Sequence, residues 1–252
     1  AFDRAAGQHP ELAVRLGWSL DRRLQAHGPV EIHRRLLERV VEQARVTDQP
    51  AHRARAHRMR GRFRTLRGEL DAAAEDLRTA AQLADGPEHA EQRGWALFRL
   101  GCVFRNRGDL EAATARLEDA RQIAGDRDLP DLRRATVAHL AACEADRGNL
   151  GAAEGLLSRL ERTPECANLR VECRLQKRAG SVHYYLGDYE AQHRRNRRAL
   201  ELARRLEDRE LEGICLQALG DSAFADADFE GAIQRYRQAL QTHRELGNDY
   251  FE

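Results

Sequence analysis

The sequence has no long apolar run and few aromatic residues, and it contains one methionine and one lysine, Lys177. A membrane-spanning helix needs about 20 consecutive apolar residues, and no segment approaches that length. The basic, apolar and small-residue pattern of a signal peptide is also missing. These absences exclude a membrane span by sequence, and we expect a cytoplasmic protein without a membrane partner.

An excess of charge of either sign is also absent. The chain has 42 Lys and Arg residues against 41 Asp and Glu residues, which gives a formal net charge of +1. There is therefore no global field to attract nucleic acid or an anionic membrane, and bulk charge does not identify a partner.

Motifs of catalytic and cofactor sites are missing as well. The sequence has no G-x-x-x-x-G-K-[ST] phosphate loop, no G-x-G-x-x-G, no G-x-S-x-G and no H-E-x-x-H. Neighbouring carboxylates such as Glu75 and Asp76 are predicted to lie on the outward, solvated sides of helices. Because no nucleophile, base and oxyanion donor come together, we predict a non-catalytic protein without a cofactor.

The five cysteines are an odd number and include no C-x-x-C pair. We interpret them as reduced thiols in helices. Cys166 and Cys173 lie two helical turns apart, but zinc needs about four ligands and no fitting His pair adjoins them. We predict no metal site.

A short turn-like stretch is the first positive feature. RGDLEAA, at residues 107–113, contains the tripeptide RGD that adhesion receptors bind, but related stretches recur as RGEL (67–70), RGNL (147–150), LGDY (186–189) and DADF (226–229). A Gly can end a helix in the left-handed conformation, and a following Asp or Asn can cap the next helix. We therefore interpret Asp109 as a helix cap, with Asn149 and Asp188 in the same role and Glu69 as a weaker cap.

Aligning the chain on a small residue seven places before each turn reveals a period. The aligned residues step by 40, 40, 39 and 40 places. They are Gly61, Gly101, Ala141, Gly180 and Gly220.

Small or apolar residues follow at twelve, sixteen and nineteen places beyond each aligned residue, and these spacings put them on one face of a helix. The three sets are Ala73, Ala113, Ala153, Gln192 and Ala232; Leu77, Leu117, Leu157, Asn196 and Tyr236; and Ala80, Ala120, Leu160, Ala199 and Ala239. Gln192 and Asn196 break the pattern. Each repeat is thus predicted to be two helices joined by a tight turn.

These repeats predict an all-α fold of tandem antiparallel helix pairs that form a single solenoid domain over residues 1–252. The expected parts are a divergent first pair at 11–46, repeats at about 51–86, 88–127, 130–163, 166–206 and 208–246, and the start of another repeat at 247–252. We interpret the chain as a fragment of a longer protein. Leu246, Tyr250 and Phe251 would then form an apolar end that favours self-association.

The small residues at fixed offsets and the Gly-Asp turn resemble the tetratricopeptide repeat (TPR). The repeat here is longer, about 40 residues instead of the usual 34 or so. The resemblance implies a right-handed α-solenoid. Phrases such as ELARRLEDRELEGICLQALGD also resemble the C-terminal helical repeats of bacterial STAND-class ATPases and of related regulators and kinases, which implies a sensor and partner-binding arm.

In the TPR family the first helices line a concave groove that holds an extended peptide or a helix. Carried over to this chain, the groove positions are Arg55, Arg58, Arg62 and Thr65; Trp95, Phe98, Cys102 and Arg105; Ala135, Ala138, Ala142 and Ala145; Arg174, Lys177, Ser181 and Tyr184; and Ile214, Gln217, Asp221 and Phe224. The candidate partner contacts among them are the cationic and aromatic residues Arg55, Arg58, Arg62, Trp95, Phe98, Arg105, Arg174, Lys177, Tyr184 and Phe224. The Ala-lined stretch is expected to form a centre of close approach.

The groove suggests an acidic partner with apolar anchors, because Arg pairs bidentately with carboxylates and aromatic side chains supply contact area. The opposite interpretation, in which Trp95 and Phe98 are core residues and the arginines are a solvated face, stays open. We expect a protein-interaction scaffold or regulatory arm. The alternatives are a sensor of a small molecule or signal peptide and, disfavoured by the balancing acids, a nucleic-acid binder.

Overall fold

The computed structural model describes residues 9–246, and this part of the chain folds as twelve α-helices without a β-strand. A short 3-10 turn, Pro87–His89, precedes the fifth helix. The helices are α1 (Pro10–His27), α2 (Val30–Arg45), α3 (Pro50–Leu66), α4 (Leu70–Leu83), α5 (Ala90–Asn106), α6 (Leu110–Asp126), α7 (Pro130–Asp146), α8 (Leu150–Glu161), α9 (Leu169–Leu186), α10 (Tyr189–Arg205), α11 (Arg209–Ala225) and α12 (Phe229–Glu245).

The chain divides into two compact units, residues 1–132 and 133–252, which we call unit 1 and unit 2. Unit 1 holds α1 to α6 and the start of α7. Consecutive helices pack together along it, from α1 on α2 to α5 on α6. Unit 2 holds the remainder of α7 and α8 to α12, and its most extensive contacts join α9 to α10, α10 to α11 and α11 to α12.

The RGD stretch forms the turn between α5 and α6. Gly108 has φ of +82°, in the left-handed region that favours glycine. The Asp109 carboxylate accepts a hydrogen bond from the Ala112 amide at 3.0 Å. The prediction that Asp109 caps a helix is confirmed.

The corresponding turns of the other repeats differ in whether a side chain caps the second helix. Asp188 caps α10 by accepting from the Ala191 amide at 2.9 Å, and Glu69 makes no capping bond with its side chain. The expectation for Asn149 is wrong: its side chain makes no capping bond and donates instead to the Glu144 carboxylate at 2.8 Å.

The aligned glycines allow the two helices of a pair to approach closely. A Cβ added to Gly101 would lie 2.7 Å from Leu117 Cγ, a separation that packed side chains do not adopt. Gly61 faces Leu77, Gly180 faces Asn196 and Gly220 faces Tyr236 in the same way. The residue sixteen places after each of these glycines is therefore its contact in the second helix of the pair.

The cores are local clusters along each unit. In unit 1 one cluster joins Val14, Val40 and Ala56, and another joins Leu77 to Leu100. Unit 2 contains a cluster built on α7, α8 and α9 and a second one built on α9, α10, α11 and α12. Such serial clusters are typical of repeat proteins, in which each element packs on its neighbours.

Asp76 corrects one sequence expectation. It was expected on an outward, solvated side, but it is 2% exposed and it gathers Arg60, Arg64 and His57 at 2.7 to 2.8 Å. The five cysteines all lie within residues 9–246, are buried and form no disulfide. No helix within residues 9–246 has the length and apolar character needed to cross a membrane.

Candidate functional site

The ten candidate contacts fall on four first helices, two in each unit. In unit 1, α3 carries Arg55, Arg58 and Arg62, and α5 carries Trp95, Phe98 and Arg105. In unit 2, α9 carries Arg174, Lys177 and Tyr184, and α11 carries Phe224. Each unit therefore has its own candidate surface.

The first surface is a row of three arginines on α3, Arg55, Arg58 and Arg62, which we call the arginine column. Arg62 donates to both carboxylate oxygens of Asp21, at 3.0 and 3.1 Å. Asp21, on α1, also lies 2.8 Å from the ring nitrogen of His33. One end of the column is thus held by a buried ion network.

The opposite end is held by an aromatic ring. The Arg55 guanidinium lies 4.0 Å from the centroid of Trp18, a distance typical of a cation–π contact. Trp18 itself meets the edge of the His52 ring at 5.0 Å. Arg55 is therefore positioned without a carboxylate partner in the described part of the chain.

Arg58, in the middle of the column, has no such support. Within residues 9–246 it makes no hydrogen bond or ion pair, and its Nε atom is buried without a partner. Burial and the positive charges of Arg62 and Arg55 lower the pKa of Arg58 to about 10. Asp21 and Glu91 attract it only at longer range, so among the described residues it is a cation without a partner.

The Asp21 carboxylate is already engaged. Burial raises its pKa, but the charge of Arg62 and the hydrogen bond and charge of His33 outweigh burial, so the pKa is lowered overall. Asp21 stays ionised at neutral pH, and its charge is shared between Arg62 and His33.

The aromatic candidates of unit 1 contribute mainly to packing. Trp95 and Phe98 meet edge to face at 5.6 Å, and Phe98 is 4% exposed. Arg99 covers the Phe98 ring at 5.4 Å. Trp95 and Arg105 are partly buried. The Trp95–Phe98 pair therefore offers little surface to a ligand.

The second surface is an open pocket of about 350 Å³ in unit 2, which we call the aromatic pocket. Five predicted groove positions line it together: Lys177, Ser181, Tyr184, Asp221 and Phe224. The remaining lining residues were not predicted. They are Tyr185, Gln192, Asn196, Ala218 and Tyr236.

The two residues that depart from the repeat pattern, Gln192 and Asn196, both line this pocket. Asn196 stands where earlier repeats have Leu, and its amide donates to the Ala218 carbonyl at 3.2 Å and to the Ser222 hydroxyl at 2.9 Å. Gln192 is 3% exposed, and its Oε1 atom has no hydrogen-bond partner within residues 9–246. The two departures from periodicity were therefore the sequence signal of this site.

Tyr236 forms one wall and is held in place. Its hydroxyl donates to the Asp221 carboxylate at 2.8 Å. Burial and the bonded, negatively charged Asp221 raise the pKa of Tyr236 to about 12. The phenol therefore remains protonated at neutral pH.

Large aromatic surfaces remain uncovered around the pocket. Phe224 is 60% exposed and Tyr184 is 46% exposed. Phe224 packs on Phe229 at 5.6 Å and Tyr184 on Tyr185 at 5.7 Å. Clustered exposed aromatic residues mark interaction surfaces more often than scattered ones do.

Other groove positions do not reach a surface. The expected Ala-lined centre is wrong, because Ala135, Ala138, Ala142 and Ala145 are at most 5% exposed. Their small side chains let helices pack and leave no open face for a ligand. Arg174 is partly buried. Leu246, expected to form an apolar end that favours self-association, is 8% exposed. Tyr250 and Phe251 lie outside the described residues.

Comparison with known proteins identifies the fold. No family model and no curated protein sequence matches the chain. Solved structures do match. A Rap protein complexed with Competence and Sporulation Factor aligns over 97% of this chain and 79% of its own, with a TM-score of 0.67 and 12% identity.

Two further structures extend the comparison. The Rap conjugation gene regulator of plasmid pLS20, in complex with the Phr* peptide, has a TM-score of 0.60 at 12% identity and aligns over 85% of this chain and 69% of its own. A STAND protein with a tetratricopeptide repeat sensor from Pyrococcus horikoshii has a TM-score of 0.58 at 19% identity, over 87% of this chain and 35% of its own.

The fold is that of the TPR-like helical-repeat proteins. This confirms the resemblance drawn from the repeat period and the Gly-Asp turns. The low identities establish the fold alone.

Proposed function

We propose that this chain is a non-catalytic interaction module that binds a peptide or helix of a partner protein, with the aromatic pocket of unit 2 as the anchoring site. The observation that carries the proposal is that five predicted groove positions from two first helices line one pocket. The aromatic side chains that line it, such as Phe224 and Tyr184, are exposed to solvent.

The chemistry of the pocket suits an apolar side chain on a polar backbone. Phe224, Tyr184 and Tyr185 offer aromatic area at low entropic cost. Gln192 and Lys177 add an acceptor and a donor beside it, which fits a peptide's own N–H and C=O groups. A single apolar anchor residue flanked by peptide backbone is the ligand we expect.

The structural comparisons support a peptide ligand by analogy of fold. Two similar structures are Rap proteins in complex with Competence and Sporulation Factor and with the Phr* peptide. A third carries a TPR sensor within a STAND protein, which agrees with a regulatory arm.

A display library of random peptides, selected on the purified chain, tests the proposal. Phe224→Ala should weaken the selected peptides at least about tenfold, as loss of an aromatic contact at the centre of an interface does. Ile233→Ala is the matched control, because Ile233 is 50% exposed in the same unit and lies outside the aromatic pocket. Selection of no peptide, or equal binding by both variants, would overturn the assignment.

A small effector is a second candidate, favoured by the pocket volume of about 350 Å³, which lies within the range of small-molecule sites. A thermal-shift screen of metabolites separates the two functions. Stabilisation by a small molecule that Phe224→Ala abolishes, without any selected peptide, would identify a sensor.

A further inference from the structure

Three arginines on the helix of Arg58 pair with buried carboxylates, whereas Arg58, like Arg53, has a buried Nε atom without a partner within residues 9–246. On the same helix, α3, Arg60 and Arg64 both reach Asp76, at 2.7 and 2.8 Å. Arg62 reaches Asp21 at 3.0 Å. Buried polar groups in folded proteins are nearly always paired, and an exception needs an explanation.

The charges around Arg58 do not balance. Arg55, Arg58 and Arg62 present three guanidinium groups, and within residues 9–246 the one carboxylate at hydrogen-bonding distance of the column is Asp21, which also bonds His33. Glu91 attracts Arg58 but makes no ion pair with it. An uncompensated, partly buried cation is costly, and the column carries two more positive charges than Asp21 can neutralise.

The two neighbours of Arg58 are fixed in place. Arg55 is held against Trp18 at 4.0 Å, and Arg62 is held by both oxygens of Asp21. Arg58 is only partly buried, so an anion can reach it from solvent. A planar guanidinium offers paired N–H donors that match carboxylate and phosphate oxygens.

We propose that Arg58, flanked by Arg55 and Arg62, is an oxyanion-binding subsite that takes a carboxylate or phosphate group. This goes beyond the proposed function, because the subsite lies in unit 1 and the aromatic pocket lies in unit 2. Arg58 makes the new bonds, and the other two arginines add positive potential without leaving their present partners.

Titration of the whole chain with inorganic phosphate and, separately, acetate tests the subsite, at constant ionic strength with chloride as reference. Two readouts are used, the arginine Nε–Hε signals in NMR and the melting temperature. We expect the Arg58 signal to shift with at least one anion and the Tm to rise by about 2 to 4 °C. A response to phosphate alone indicates a phosphorylated ligand, and a response to acetate indicates a carboxylate.

Arg58→Gln should abolish the anion-dependent rise in Tm. Without anion its Tm should equal or exceed that of the parent chain, because the substitution removes an unpaired cation. Arg35→Gln, at an exposed position of α2, makes the same change in net charge and should keep the anion response. Arg60→Gln should lower the Tm and also keep the response.

Two results would overturn the subsite: an Arg58 signal unmoved by both anions, or a rise in Tm that persists in Arg58→Gln. These results are independent of the peptide selection. A peptide that binds at Phe224 while no anion binds at Arg58 would refute the subsite alone, and anion binding without any selected peptide would refute the proposed function alone.

Discussion

Units 1 and 2 are built by the same repeat, but the second helix of a pair can contribute different chemistry in each. Fifteen places after the aligned Gly61, the α3–α4 pair of unit 1 has Asp76, which is buried under three cationic side chains. The same position in the α9–α10 pair of unit 2 is Arg195, which reaches Gln176 at 3.1 Å and the exposed Glu161. Helix pairing tolerates both, so the repeat sets the framework, and the residues that depart from it supply the chemistry.

The largest expected difference between the units is in stability at this position. Asp76→Ala should lower the free energy of unfolding by about 3 to 5 kcal/mol, because it leaves Arg60, Arg64 and His57 without their counter-charge. Arg195→Ala should cost about 1 kcal/mol or less, as expected for an ion pair near the surface. Urea denaturation of both variants measures the difference.

Glu75→Ala is the control for Asp76→Ala, since Glu75 is the exposed neighbour on the same helix. It should change stability by no more than about 0.5 kcal/mol. Equal losses in Asp76→Ala and Arg195→Ala would show that the ion network does not distinguish the units.

The contrast between the units also explains what the sequence could predict. Periodicity predicted the helix pairs, the turn at Gly108 and the cap at Asp109, because these depend on local spacing and backbone conformation. It misplaced Asp76, since an acid on a helix face gives no local sign that Arg60, Arg64 and His57 converge on it. Such convergence is a property of the packed structure.

The candidate sites were predicted in part for the same reason. Five first-helix positions, among them Lys177, Tyr184 and Phe224, were predicted and do line the aromatic pocket. Tyr185 and Tyr236 were missed because no first-helix groove position includes them. The Ala-lined stretch around Ala138 was misread because small residues serve close helix packing as well as ligand approach.

Acidification should act in two pH ranges, first through histidines such as His183 of unit 2 and then through Asp76 of unit 1. In unit 2, burial and the charge of Arg195 lower the pKa of His183, although Asp188 opposes them. The unfolded chain then binds a proton near the ordinary value of 6.5 while folded His183 stays neutral, so stability is lost as pH falls below about 6.5 toward the folded pKa.

In unit 1, burial raises the pKa of Asp76, but hydrogen bonds from His57 and Arg60 and the charges of Arg60 and Arg64 outweigh it and lower the pKa. That contribution is present above the ordinary value of 3.8 and is lost only as pH falls below it. Thermal melts from pH 8 to pH 3 measure both losses.

His183→Gln should flatten the loss of stability just below pH 6.5 and leave the loss below pH 3.8 unchanged. His52 of unit 1, whose pKa is also lowered by burial, should account for part of the slope that remains. An unchanged slope in His183→Gln would assign the whole effect to His52 and other groups.

The smallest expected effect separates two turns with nearly the same sequence, RGDL in unit 1 and RGNL in unit 2. Asp109→Ala removes a bond to the Ala112 amide and should cost about 0.5 to 2 kcal/mol. Asn149 makes no such bond, so Asn149→Ala loses only an exposed contact with Glu144 and should cost less than about 0.5 kcal/mol. Denaturation of the two variants side by side decides this. Equal costs would mean that Asn149 caps its helix in solution, and the turns of the two units would then be equivalent.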